Sequence, residues 1–120
     1  VLIEILKSKI HRARVTQSDI NYQGSITIDE ELMDEVGIRE YERVLVGNIS
    51  NGNRFETYAI RGDRGSGSIC LNGATARLGE VGDVLIILSF ARMDEEEIKL
   101  FQPAIIVLDE HNAIVKRESV

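Results

Sequence analysis

The chain has 120 residues, a single cysteine and a net charge of −6. That length suits one domain, able to bury roughly two thirds of its unfolded surface without a disulfide or metal staple. The acidity argues against a partner bound through its phosphate backbone, so no nucleic acid is expected. The longest apolar run, Val84 to Leu88, falls far short of the roughly 20 residues that cross a bilayer. No apolar stretch behind a basic flank opens the chain, so a cytoplasmic protein with no membrane attachment is expected.

Charge is unevenly spread. Residues 1–24 hold Lys7, Lys9, Arg12 and Arg14 against Glu4 and Asp19, a net +2, whereas residues 25–120 carry −8. A small cationic segment in an acidic chain suits a small anion, and it equally suits a solvated basic strand.

In chain order, Leu2, Ile3, Ile5, Leu6 and Ile10 mark an N-terminal strand that ends in the polar run Thr16-Gln17-Ser18-Asp19. A helix follows. Asp29 can cap it, Glu30 and Glu31 favour its positive end, and Leu32, Met33 and Val36 share one side. Gly37 can adopt the left-handed conformation that closes it. Arg43 to Ile49 and Arg54 to Ile60 predict a hairpin around Asn51-Gly52, a dipeptide that tolerates positive φ at both central positions. Ile69 to Leu71, Val84 to Phe90 and Ala104 to Leu108 predict further strands. Asp94 to Leu100 predicts a second short helix, with Pro103 beyond it. His111-Asn112 turns the chain towards Ile114 and Val115. Short strands and Gly-rich turns together predict a single domain over residues 1–120, a small, mainly β barrel with one or two short helices. Periodicity leaves its strand order open.

Chemistry is the harder question. His11 and His111 are isolated, Cys70 has no partner and the acidic clusters lack calcium-loop spacing, so no metal is expected. No Gly-x-Ser-x-Gly elbow is present. Gly62 to Ser68 superficially resembles a phosphate cradle, but it lacks the Gly-Lys-Ser/Thr ending and precedes a strand-like segment. Gly-Ser occurs three times, at 24–25, 65–66 and 67–68. A serine hydroxyl can attack the preceding carbonyl and convert the peptide bond to an ester. Glycine there leaves the carbonyl unshielded and permits strained dihedrals. Loss of the serine α-proton then expels the glycine carboxylate and leaves dehydroalanine, which hydrolyses to a pyruvoyl group. A Gly-Ser turn is equally compatible with being only a turn.

The neighbouring motifs separate these readings. Lys9-Ile10-His11-Arg12, Tyr22-Gln23-Gly24-Ser25, Asn51-Gly52-Asn53-Arg54-Phe55, Thr57-Tyr58-Ala59-Ile60 and Asn72-Gly73-Ala74 resemble the aspartate 1-decarboxylase family in order and spacing. Arg64-Gly65-Ser66 and Val81-Gly82-Asp83 do too. The resemblance runs from about residue 3 to about residue 110. It implies a six-stranded double-psi β-barrel and a homotetramer with sites between subunits. It also implies decarboxylation of L-aspartate to β-alanine for pantothenate and coenzyme A. Chain cleavage into residues 1–24 and 25–120 would precede activity, with an accessory maturation protein that some members need and others do not.

The same resemblance assigns roles. Ser25 would become the pyruvoyl group, which forms a Schiff base with substrate in place of pyridoxal phosphate, and Gly24 the new C-terminus. Thr57 would assist cleavage and Tyr58 would donate a proton. Asn72, Gly73, Ala74 and Thr75 would line the site; Thr75 departs from the commoner alanine, which leaves its side chain without an assigned role. Arg54, with its planar fork, and Lys9 would bind the substrate carboxylates. His11 would orient Tyr22 or a substrate group, or serve structure alone, and Tyr22 would shape the cleavage loop. Two other classes compete: a non-catalytic β-barrel binding module, and a phosphate-binding enzyme built on Gly62 to Ser68.

Overall fold

The computed structural model describes residues 1–118. Nine strands form one sheet: β1 (Ile3–Arg14), β2 (Gln17–Asp19), β3 (Ser25–Asp29), β4 (Arg43–Asn48), β5 (Arg54–Gly62), β6 (Ile69–Asn72), β7 (Val84–Met93), β8 (Ala104–Leu108) and β9 (Ile114–Glu118). Their order is β2-β6-β3-β5-β4-β7-β1-β8-β9. Two helices, α1 (Glu30–Val36) and α2 (Glu95–Leu100), and a 3-10 turn, Gly73–Arg77, complete the chain.

The mainly β reading stands, with nine strands where six were expected. Three have no strand predicted over them: β2, whose Gln17-Ser18-Asp19 has no apolar residue; β3, a short segment running straight into the helix cap; and β9, of which the sequence marks only Ile114 and Val115. Strand β3 matters to the site, because it begins at Ser25 and lies between β6, antiparallel, and β5, parallel.

Ile69 and Leu71 of β6 share one buried cluster with Ile106 and Leu108 of β8. These strands are six places apart in the sheet order. A flat sheet at ~4.8 Å per strand would hold them about 29 Å apart, so the sheet must curl around its core. The chain just beyond β1 makes the seam: the Thr16 N–H donates to the Ile69 carbonyl at 2.8 Å. Asn112 spans the same seam, its amide nitrogen donating to the carbonyls of Arg14 and Gly67, both at 2.8 Å.

Local chemistry explains the helix. The Asp29 carboxylate accepts the Glu31 N–H, and Gly37 takes φ 75° at the far end. Leu32, Met33 and Val36 are buried as their spacing predicts. Two β1 side chains satisfy the carbonyls left open there, Ser8 donating to Val36 and Lys7 to Gly37. The second helix is capped by Asp94 and ends at Leu100, before Pro103 is reached.

The turn at Asn51-Gly52 differs from expectation. Strand β4 stops at Asn48, β5 starts at Arg54, and Gly52 alone has positive φ, 81°. Asn48 holds this wider loop, its N–H donating to Asn53 and its side-chain oxygen accepting from Ser50. A polar side chain three residues before Asn51 replaces the need for two left-handed residues.

Candidate active site

Ser25 opens β3 at the point where an exposed loop, residues 20–24, enters the core; the residue is 1% exposed. Its neighbour Ile26 is fully buried and anchors the strand. Removing that side chain to alanine would cost about 2–5 kcal/mol.

Antiparallel register sets Ser25 opposite Asn72. The Asn72 amide nitrogen donates to Ser25 Oγ at 3.0 Å and to Thr27 Oγ1 at 2.9 Å. Two acceptors use both amide protons, so the donor end of Asn72 is locked towards the serine. Thr27 was not among the residues singled out by sequence. Its signal was the two-residue spacing from Ser25, which puts both hydroxyls on one face of a strand. The Ser25 hydroxyl in turn donates to the Gln23 carbonyl at 3.3 Å.

Gly73 follows Asn72 with φ 62°. A Cβ built there would lie 2.6 Å from the Gly24 nitrogen and 2.7 Å from the Tyr22 carbonyl oxygen. The loop therefore rests on the Gly73 α-carbon. Gly24 itself has no left-handed φ, and a Cβ on it would meet nothing within 4 Å. The expectation of a strained Gly24 is thus corrected: the conformational demand falls on Gly73. Thr75 is buried beside them, its hydroxyl within reach of the Ser25 and Asn72 carbonyls, while Ala74 is exposed.

The parallel register of β3 with β5 pairs Ile26 with Ala59. Ser25 and Tyr58 each stand one residue before that pair on their strands, and Gly24 precedes β3. Ala59 faces the core, so alternation turns Tyr58, with Glu56 and Arg54, to the outer face. The Tyr58 ring lies 6.3 Å from that of Tyr41. Thr57 and Tyr58 line an open hollow of ≈ 380 Å³ with Arg43 and Glu56.

Other expected residues are not gathered at Ser25. Register carries Lys9 through Leu88 and Leu45 to Glu56, and His11 through Ile86 and Gly47 to Arg54. Lys9 and His11 thus lie three strands from β5, about 14 Å at the usual spacing, and one strand further from Ser25. Arg54 is exposed and lies four residues, about 13 Å, along β5 from Tyr58. Of the basic N-terminal residues, Lys7 pairs with Glu42 at 2.7 Å and Arg14 donates to the Gly82 carbonyl. Lys9 and Arg12 have no ion-pair partner among the described residues. Burial, then the charges of Lys9 and Arg12, hold the His11 pKa below its usual value, with Glu118 opposing, and its Nδ1 is buried without a partner. Tyr22 is exposed and makes no side-chain hydrogen bond with His11 among the described residues.

The glycine-rich loop has a different occupant from the phosphate considered for it. The N–H groups of Gly65 and Gly67 donate to the Asp29 carboxylate at 3.0 and 2.8 Å. A fixed internal carboxylate fills the cradle. Burial pushes the pKa of the Cys70 thiol up, with the Thr16 hydrogen bond opposing. Among the described residues, no three His, Cys, Asp or Glu side chains converge as metal ligands, and no helix is long and apolar enough to cross a membrane.

A family model described as aspartate decarboxylase matches residues 1–115. The chain belongs to the aspartate decarboxylase family. Curated relatives named aspartate 1-decarboxylase include one from Caldicellulosiruptor saccharolyticus, 60% identical over 97% of this chain and 91% of its own length. One from Lactiplantibacillus plantarum is 55% identical over 98% and 90%. One from Acetivibrio thermocellus is 54% identical over 99% and 94%. Membership in the family accounts for the ordered motifs, which fall on the loop before β3, on β5 and on the 3-10 turn after β6.

Proposed function

We propose that this chain is the precursor of an aspartate 1-decarboxylase that cuts its own backbone between Gly24 and Ser25. The product enzyme turns L-aspartate into β-alanine and carbon dioxide, supplying pantothenate and coenzyme A synthesis. The observation carrying this reading is the junction itself: a buried serine hydroxyl gripped by Asn72, with the preceding glycine laid across Gly73.

In the first step Ser25 Oγ attacks the Gly24 carbonyl carbon. Asn72 limits the hydroxyl to a narrow range of positions, which replaces a search by orientation. We assign to Thr57 of β5, through its hydroxyl, the donation to the oxygen that becomes negative there. Cleavage yields residues 1–24 and 25–120.

The surroundings of Ser25 fit a pyruvoyl group formed in place, because Asn72 and Thr75 reach that residue and it is 1% exposed. A pyruvoyl group supplies a carbonyl that captures the substrate amine and draws in the electrons released with carbon dioxide. Around it, Tyr58 holds a proton on the outer face of β5 for delivery to the decarboxylated carbon. Arg54 offers an unengaged fork to one carboxylate, and Lys9 offers a second positive charge.

One chain leaves Lys9 about four strands from Ser25. A second copy supplies the missing cation, which supports a homotetramer with shared sites. The reading places this assembly in the cytoplasm, with an accessory maturation protein only if cleavage stalls in the isolated chain.

Denaturing mass analysis tests the proposal. Pieces of 24 and 96 residues are expected, the larger without an N-terminal amine, together with β-alanine formation from aspartate. Ser25→Ala should fold and lose both cleavage and turnover. Turnover by Ser25→Ala would defeat the reading.

A further inference from the structure

The family resemblance leaves the side chain of Thr75 without an assigned role. Its hydroxyl is buried 2.7 Å from the Asn72 carbonyl oxygen and 3.2 Å from the Ser25 carbonyl oxygen. A hydroxyl has one proton, so it serves one acceptor at a time. At rest the shorter contact holds it, a bond three residues back of the kind threonine often makes in a helical turn.

We infer that Thr75 is a donor held ready for the Ser25 carbonyl oxygen, and that it speeds the elimination completing self-cleavage. This rests on the self-cleavage reading and deepens it. Elimination starts from the ester, in which Ser25 Oγ carries the Gly24 acyl group and the Ser25 nitrogen is a free amine. Water takes the Ser25 α-proton. The released electron pair moves onto the Ser25 carbonyl oxygen as an enolate, then returns to form the Cα–Cβ double bond while the Cβ–Oγ bond breaks. Oγ departs with its electron pair in the Gly24 carboxylate. The residue left is dehydroalanine, whose hydrolysis consumes one water and releases ammonia.

Charge on the Ser25 oxygen exists only during this step. A neutral carbonyl competes poorly with Asn72 for the proton, whereas an enolate oxygen competes well, so the hydroxyl swings towards it. The donor therefore binds the transition state more tightly than the ground state, which is the condition for acceleration. An alanine side chain at this position offers no such proton.

The experiment follows freshly made full-length chain by denaturing mass and by neutral hydroxylamine, which cuts esters and avoids the alkaline cleavage of Asn51-Gly52 and Asn72-Gly73. Wild type, Thr75→Ala, Thr75→Val and Thr75→Ser are compared, with melting curves to establish that each is folded. Thr75→Val keeps the volume and removes the donor; Thr75→Ser keeps the donor. The expected result is a hydroxylamine-sensitive ester that forms at the normal rate in Thr75→Ala and Thr75→Val. It should disappear about tenfold or more slowly there, with Thr75→Ser close to wild type. Three results would overturn the inference: Thr75→Val clearing its ester at the wild-type rate, Thr75→Val never reaching the ester, or Thr75→Ser clearing it as slowly as Thr75→Val. A wild-type chain that forms no ester and never cuts would instead overturn self-cleavage itself.

Discussion

Gly73 supports Gly24 by direct backbone contact: a methyl group on the Gly73 α-carbon would lie 2.6 Å from the Gly24 nitrogen. Gly73→Ala must push the loop away and also hold a left-handed φ of 62°, a conformation costing roughly 1–2 kcal/mol for a residue with a Cβ. Cleavage should slow about 100-fold, since displacements near 1 Å suffice for such losses. Gly24→Ala meets nothing within 4 Å, and folding stability should stay within about 0.5 kcal/mol. Denaturant melts and a mass time course on both variants check the contrast; equal cleavage in wild type and Gly73→Ala would show that this support is dispensable.

Arg54 starts β5 without a side-chain partner among the described residues. Replacing it with alanine should leave the Gly24-Ser25 junction cutting normally and raise KM for aspartate about 10- to 100-fold, the scale of a lost charge-assisted pair. Arg54→Lys keeps charge without the fork and should fall between. Steady-state kinetics on fully cut protein measure this. A cleavage defect as large as the KM effect would mean that Arg54 serves the fold.

Asp29 joins three backbone donors, the N–H groups of Glu31, Gly65 and Gly67. Asp29→Ala removes a helix cap and leaves the glycine loop unanchored. Its expected cost is about 3 kcal/mol, seen as a melting temperature lower by about 10 °C. Asp29→Asn retains one acceptor and should lose less. A fall of only a degree or two in Asp29→Ala would show that water satisfies these donors as well.

His11 resists protonation because burial and the charges of Lys9 and Arg12 act against a positive ring. In the unfolded chain it protonates near its usual value of 6.5. As pH falls below that, the unfolded state binds a proton that the folded state refuses, so stability declines. The loss stops once the folded ring is protonated as well. Carboxylates held below their usual values act later. At Glu42 burial pushes the pKa up, hydrogen bonds from Lys7 and the Arg39 N–H outweigh it, and the loss of stability begins only as pH falls below 4.5. Melting temperature between pH 7.5 and 5.5 should therefore decline in wild type and flatten in His11→Gln. Parallel curves would show that His11 titrates freely.

Much of the molecule was legible in the chain. Asp29, Glu30, Glu31 and Gly37 mark the helix because capping and termination depend on neighbours within a turn. The motif order from Lys9 to Ala74 pointed to the family and hence to Ser25. Strands that carry continuous apolar runs, such as Arg43–Asn48 and Ala104–Leu108, were visible for the same local reason.

What only the tertiary structure decided are relations between distant segments. Strand β3 alternates strictly over Ser25-Ile26-Thr27-Ile28-Asp29, but only the fold sets it between β5 and β6. Thr27 gains meaning only when Asn72, 45 residues away, turns its amide between two hydroxyls. Gly24 looked like the residue under strain, but the contact demanding glycine is at Gly73, 49 positions on. Thr75 looked like a silent departure until folding set its hydroxyl beside the Ser25 carbonyl. Local preference acts over a few bonds and can be read along a chain, whereas steric contact and long-range hydrogen bonding arise only when the curled sheet brings its strands together.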